Sequence, residues 1–338
     1  MNVRLYMIMA VLLLVSCEKT VEFPAEQDGR IYVHAMLGKE GENVIILDVS
    51  QPVNGSETST VMDISLTLEA DGKPVSVERD TENSYIVMEK LLPGQKLRLT
   101  AQAEGLPSVN AITTVPDLLP NVAVRNALKE MYKTKDAGQV ADKLVKLREL
   151  SIIIDERPTE NSYFGVQVER KLVYDSLGTV PPYAWNYYEK HNGEIEIDQL
   201  YVNGQYGEHN GVSLVDIEIM VDFEGGDLRV MPAVEHDGGS IVQVYVEPTK
   251  RRLWESVSYS TTNENYEIYK DYEYKVKLYR LSPELFHCLR SRYLIDNSEL
   301  PVYMGFTPVT YIYTNVEGGL GVFGAVTSYE TEWFRIEQ

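Results

Sequence analysis

The chain reads as all-β: an N-terminal immunoglobulin-like or transthyretin-like sandwich, then a larger antiparallel β domain carrying one short helix. Three observations predict this. Apolar residues recur at every second position in run after run, turn dipeptides fall between the runs, and a single segment carries a full set of helix signals.

The first residues precede the fold. Arg4, an apolar run from Leu5 to Val15 and the small Ser16 are the parts of a secretory signal, assigned to 1–16. The run is too short for a spanning helix, which needs about 20 apolar residues. Leu14-Val15-Ser16-Cys17 also fits a bacterial lipobox, in which the Cys17 thiol takes a diacylglyceryl group and its freed amine an acyl (palmitate) chain. Two or more chains anchor stably where one holds only marginally. An ordinary cleaved signal with a chance cysteine is the alternative. Residues 17–30, polar and containing Pro24, read as a tether between lipid and fold.

From 31 to 116 the strand pattern is clear. Ile31, Val33, Ala35 and Leu37 share one face, as do Ile64, Leu66 and Leu68, then Val75 and Val77, then Tyr85 and Val87. Leu97, Leu99, Ala101 and Ala103 alternate with Lys96, Arg98, Thr100 and Gln102. Asp71-Gly72 and Pro93-Gly94 sit where turns belong. About seven short strands in this space predict a sandwich, and Pro116 and Pro120 mark its end.

The second domain, 117–338, begins with the least readable stretch. Asn121 to Leu147 fits either a strand pair with an excursion or a short helix near Asp136 to Leu147. Strands resume at Leu150, Ile152 and Ile154, at Phe164, Val166 and Val168, and along Val215 to Phe223. Further runs are Val242 to Val246 and Tyr272, Tyr274, Val276 and Leu278 against Glu273, Lys275 and Lys277. The helix is placed near 283–293: Ser282 caps it, Pro283 suits its first turn, Glu284 favours the dipole, and Leu285, Cys288 and Leu289 form a stripe. Cys288 there reads as a small hydrophobe. Tyr303 to Asn315, a glycine-rich turn and Val326 to Ile336 close the chain.

Composition narrows the function classes. Cys17 and Cys288 are the only cysteines, so an acylated Cys17 leaves no intramolecular disulfide. The formal charge of −20 becomes −21 once Arg4 leaves with the signal. Such a surface repels nucleic acid and anionic lipid, so membrane attachment falls to the acyl group.

The sharper motifs carry bland readings. Gly319-Leu320-Gly321-Val322-Phe323-Gly324 matches a GxGxxG pattern, but a dinucleotide site needs a helix and a further strand, and only fourteen residues follow Gly324. The glycines read as a tight crossing between strands. Five histidines, at 34, 191, 209, 236 and 287, show no metal spacing. His236-Asp237-Gly238-Gly239-Ser240 lacks the nucleophile elbow and reads as a hairpin. Glu194, Glu196 and Asp198, and Asp222, Glu224 and Asp227, are carboxylate clusters without the calcium-loop order, so solvated faces are expected. Lys250-Arg251-Arg252 reads as a basic surface turn. No catalytic residue, cofactor or metal is assigned.

Aromatic usage is the strongest bias. Tyr outnumbers Phe 23 to 7. Tyr is a good strand residue and also a recognition residue. Tyr183, Trp185, Tyr187 and Tyr188 follow Pro181-Pro182 and are expected on a loop, which makes them the candidate ligand contacts.

Several segments together resemble a family of Bacteroidota outer-membrane lipoproteins, domain-of-unknown-function family 4249. They are Ser16-Cys17-Glu18-Lys19, Ile31-Tyr32-Val33-His34-Ala35, Ser50-Gln51-Pro52, Val115-Pro116, Asp155 to Tyr163, Ser282 to Ser291 and, most specifically, Tyr313 to Ala325. His34 and the 121–147 stretch depart from the family pattern. The resemblance implies an anchored β-rich protein often encoded beside TonB-dependent outer-membrane transporters, and it carries over no catalytic residue. The expectation is a non-enzymatic accessory or ligand-binding partner of such a transporter, on the periplasmic or cell-surface face of the outer membrane. An envelope hydrolase with a dispersed site and a purely structural lipoprotein are the alternatives.

Overall fold

The computed structural model describes residues 29–39, 41–50, 63–134, 143–178, 180–203, 219–223, 226–248, 251–258, 265–296 and 312–336. The signal, Cys17 and most of the tether lie outside the described residues, as do Val215 to Glu218, Glu224, Lys250 and most of Tyr303 to Asn315. No helix among the described residues is long and apolar enough to cross a membrane.

The molecule is all-β, built from antiparallel sheets packed in pairs. Period two decides which face of each strand is buried. In Ile31–Leu37, every one of Ile31, Val33, Ala35 and Leu37 is buried, and Leu97, Leu99 and Ala101 of Lys96–Gln102 face them from the opposing sheet. That opposing sheet has Val316–Glu317, Val109–Thr114, Lys96–Gln102, Ser65–Ala70 and Lys73–Val75 in order. Asp71 and Gly72 both adopt positive φ, 51° and 74°, as the two central residues of a tight hairpin turn. Gln95 N–H donates to the Leu92 carbonyl across Pro93-Gly94, with Gly94 at φ 79°, the signature of a type II turn. Asn43–Val49 completes the first sandwich, pairing with Ile31–Leu37 and with Ser84–Val87.

The first sandwich is not closed by its own residues. Leu320–Glu330 lies parallel to Ile31–Leu37 through Tyr32↔Leu320 to Leu37↔Ala325. It then runs antiparallel to the end of Asn265–Leu281, from Leu281↔Val326 to Lys277↔Glu330. One strand therefore belongs to both halves of the chain, and Val316, Phe323 and Ala325 fill the core of the first sandwich. The GxGxxG run forms this strand. Gly321 has φ 95°, and a Cβ there would meet the Val33 carbonyl oxygen at 2.0 Å. A Cβ on Gly324 would meet the Leu285 Cβ at 2.7 Å. The glycines serve close approach of two backbones and a helix, as the sequence suggests.

The second sandwich packs Val234–His236, Gly239–Val246, Val145–Ile154 and Val122–Met131 against the long pair Tyr163–Gly178 and Asn265–Leu281. Leu150, Ile152, Val242 and Val244 face Phe164, Val166, Val168, Tyr274, Val276 and Leu278. The 121–147 stretch resolves as the strand pair: Val122–Met131 runs antiparallel to Val145–Ile154 in unbroken register. Its outer strand is largely exposed, so its apolar alternation is too sparse to read.

The expected helix is α2, Pro283–Asp296. The Ser282 hydroxyl accepts from Leu285 N–H at 3.4 Å, and Leu285, Phe286 and Tyr293 are buried while Cys288 is half-buried. Burial pushes the Cys288 thiol pKa up, as for a packing residue. A helix not foreseen, α1, spans Pro182–His191. This corrects the loop expected there. Pro182 sits in the first turn, where its missing N–H costs nothing, so the Pro-Pro pair starts a helix. Asn192 N–H closes the last turn on the Tyr188 carbonyl, and Gly193 at φ 89° turns the chain away.

Candidate functional site

The long strand pair sets the stage. Tyr163–Gly178 and Asn265–Leu281 pair in continuous register from Tyr163↔Leu281 to Gly178↔Tyr266. Their even-numbered residues face inward. The upper part of this face lies under the opposing sheet, and its lower part lies under α1, where Tyr174, Tyr188, Tyr266 and Ile268 form a small core with Trp185 against it. Between the two covers lie Arg170, Tyr272 and Lys270.

This placement decides the fate of the aromatic candidates. Tyr188 is buried and meets Tyr174 edge-on, with ring centroids 5.1 Å apart, and Trp185 packs beside it at 6.4 Å. Trp185 and Tyr188 therefore fasten α1 to the sheet. Tyr183 and Tyr187 lie on the same helix, their side chains outside the described residues.

The expected carboxylate cluster is rebuilt around a cation. Ile195–Ile197 pairs with Glu169 to Lys171, setting Glu196 opposite Arg170. The Arg170 Nε donates to Glu196 Oε1 at 2.6 Å, and its Nη1 lies 3.1 Å from Asp198 Oδ1. Glu194 stays exposed. Asp198 is only 3% exposed, and its Oδ2 has no hydrogen-bond partner. Burial pushes the Asp198 carboxyl up to about 6, against the opposing pull of Arg170, and Glu196 and Glu247 push the same way as burial. The solvated face expected of this cluster therefore holds an arginine-bridged carboxylate pair, Glu196 exposed and Asp198 buried. Asp198 stands at the crossing from one sheet to the other: its own N–H donates to the Val168 carbonyl, and Tyr201, three residues on, bridges to Tyr245.

From Arg170 an alternating array of cations and rings runs outward. The Arg170 guanidinium lies 5.2 Å from the Tyr272 ring centroid, and Lys270 Nζ lies 5.5 Å from the same ring and 5.2 Å from Trp254. Arg252 closes the series 5.0 Å from Trp254. Arg252 and Lys270 are directly opposite each other in the pairing of Arg252–Ser258 with Asn265–Leu281. Trp254 is 47% exposed. Sequence reasoning missed this array, because its members converge through strand register; the basic run and the Tyr-rich strand were its separate traces.

The opposite, odd-numbered face is buried against α2 at Tyr163, Tyr279 and Leu281, and beyond them it is an ion-pair lattice. Lys171 pairs with Glu273 at 2.6 Å, Lys277 with Glu169 at 2.8 Å, and Lys275 with Glu330 at 3.1 Å. Arg335 reaches Asp175 at 3.2 Å and Glu273 at 3.5 Å, while Trp333 lies under Lys171 and Lys275. Each of these cations has carboxylate neighbours.

The remaining candidates are placed individually. His236 is exposed, 3.4 Å from Asp237 in a hairpin whose turn residues Asp237 and Gly238 have φ 49° and 84°. The buried Ser240 hydroxyl donates to the Glu156 carbonyl at 2.6 Å. His236 and Ser240 thus take separate partners, consistent with the hairpin reading. Asp222 and Asp227 are cross-strand neighbours. Among the described residues no three His, Cys, Asp or Glu side chains are grouped to hold a metal ion.

No curated protein matches the chain. Residues 18–332 match the model of a domain of unknown function (DUF4249), nearly the whole sequence, and the chain belongs to that family.

Proposed function

We propose that this protein is a lipid-anchored outer-membrane protein, held by acylated Cys17, that acts without catalysis as a ligand-binding accessory of a TonB-dependent transporter. The observation that carries the reading is the array from Arg170 to Arg252. It leaves Arg252 and Trp254 exposed, and Lys270 and Tyr272 partly so, on a sheet whose other charged face is rich in internal ion pairs. Exposed rings interleaved with cations are recognition chemistry. The lipobox supports the anchor, and the family resemblance supports the choice of a transporter as partner.

Affinity purification of the tagged full chain from detergent-solubilised outer membranes tests the partnership. A TonB-dependent transporter recovered in the eluate is the expected result. Eluates free of any transporter, with the lipoprotein itself fully recovered, overturn it.

A further inference from the structure

We propose that Arg252, Trp254 and Lys270 form a binding site for an acidic oligosaccharide, with the indole against a sugar ring and the two cations on its carboxylates. This deepens the ligand-binding reading and rests on it. Arg252 and Lys270 are cross-strand partners, and like charges placed directly opposite destabilise a sheet. Elsewhere on the two long strands the cost of such crowding is met by carboxylates. Arg170 has Glu196 and Asp198, Lys171 has Glu273, and Lys275 and Lys277 share Glu330. Even the adjacent Arg251, on the other face, has Asp175 at 3.7 Å. Among the described residues Arg252 and Lys270 have no ion-pair partner, although the chain carries 51 acidic residues to 31 basic ones. Two cations kept side by side without a counter-charge, in so acidic a protein, mark a place where the counter-charge comes from a ligand.

The indole selects the class of anion. Trp254 lies about 5 Å from both cations and is nearly half exposed, so apolar ring contact and charge are offered within one sugar's span. A uronate presents both needs together: a C–H face on the ring and a carboxylate at its edge. An anionic membrane needs a broader basic surface, and a net charge of −20 repels it. Tyr272 and Arg170 extend the same row beyond Lys270, giving room for a second ring.

Calorimetry with the full chain in neutral detergent micelles tests this, using tetragalacturonate as probe. Cellotetraose, polyglutamate peptide and phosphatidylglycerol mixed into the micelles are the comparisons. Tetragalacturonate binds, weakens as salt rises, and outcompetes all three comparisons by at least about tenfold. The double variant Arg252→Gln/Lys270→Gln and the single variant Trp254→Ala each weaken it by about tenfold or more. These side chains lie at the surface, and circular dichroism checks the fold; should the double variant unfold, Trp254→Ala carries the same test. Absence of tetragalacturonate binding, binding unchanged in folded variants, or tighter binding to polyglutamate or phosphatidylglycerol overturns the proposal. None of these outcomes bears on the transporter pull-down, so the two readings fail separately.

Discussion

Replacing Asp198 by Asn removes a charge and keeps the shape, and the structure sets the size and sign of the response. Asp198 is 3% exposed, its Oδ2 has no partner, and its pKa stands at about 6 against an ordinary 3.8. A raised carboxyl pKa means the native state binds the proton more tightly than the unfolded chain. Below pH 3.8 the group is neutral in both states and costs nothing; the cost grows from there, as the unfolded chain ionises first, and is complete above about 6, where the folded protein holds a buried charge. A rise of about two pH units, at about 1.4 kcal/mol each, gives a cost of roughly 3 kcal/mol above pH 7, with the attraction of Arg170 already included. Asp198→Asn is therefore more stable than the parent by up to about 3 kcal/mol at pH 8, and the gap narrows toward zero near pH 4. Urea unfolding followed by tyrosine and tryptophan fluorescence at pH 4, 5, 6, 7 and 8 measures it. Parallel pH profiles for the two proteins, or a variant less stable at pH 8, would refute the assignment of Asp198 as an under-compensated buried charge.

Gly321→Ala places a Cβ 2.0 Å from the Val33 carbonyl at a φ of 95°, so a loss of more than about 3 kcal/mol in urea unfolding is expected. Asn315 donates to the Ile112 and Phe323 carbonyls and accepts from Phe323 N–H; Asn315→Ala leaves these groups unmatched and costs about 2–3 kcal/mol in the same assay. Trp185→Ala removes packing that fastens α1, and faster amide exchange across Pro182–His191 is the expected signature, with the first sandwich unchanged. Cys17→Ala moves the protein from the membrane pellet to the soluble fraction on cell fractionation, and mass spectrometry of the parent finds its N-terminal peptide acylated.

What was legible in the sequence follows from where each strand lies. Ile31–Leu37 and Lys96–Gln102 have one buried and one wet face, and their alternation shows it. Asn43–Val49 interrupts that alternation with Ile45-Ile46-Leu47, whose middle residue faces solvent, so the strand passed unmarked. Val122–Met131 is an edge strand whose inner face is covered only at Val122, Val124 and Met131, too sparse a pattern to read. The pairing of Ile31–Leu37 with Leu320–Glu330 joins residues nearly three hundred positions apart, and no local signal records such a union. The candidate site shows the same division. Trp185 and Tyr188 were visible as aromatics, but helix α1 turned them inward, because a proline pair that reads as loop also starts helices. Arg252 and Lys270 meet only through register, so the basic run looked like an ordinary turn.

The strand shared between the two halves has a consequence for the order of events in a newly made chain. Ile31–Leu37 is made long before Leu320–Glu330, and until then it has only Asn43–Val49 beside it and its core lacks Phe323 and Ala325. Completion of the first sandwich is thereby postponed until Leu320–Glu330 has been made. In a chain that is exported unfolded, such a delay keeps the N-terminal half threadable until its distant partner strand has been made.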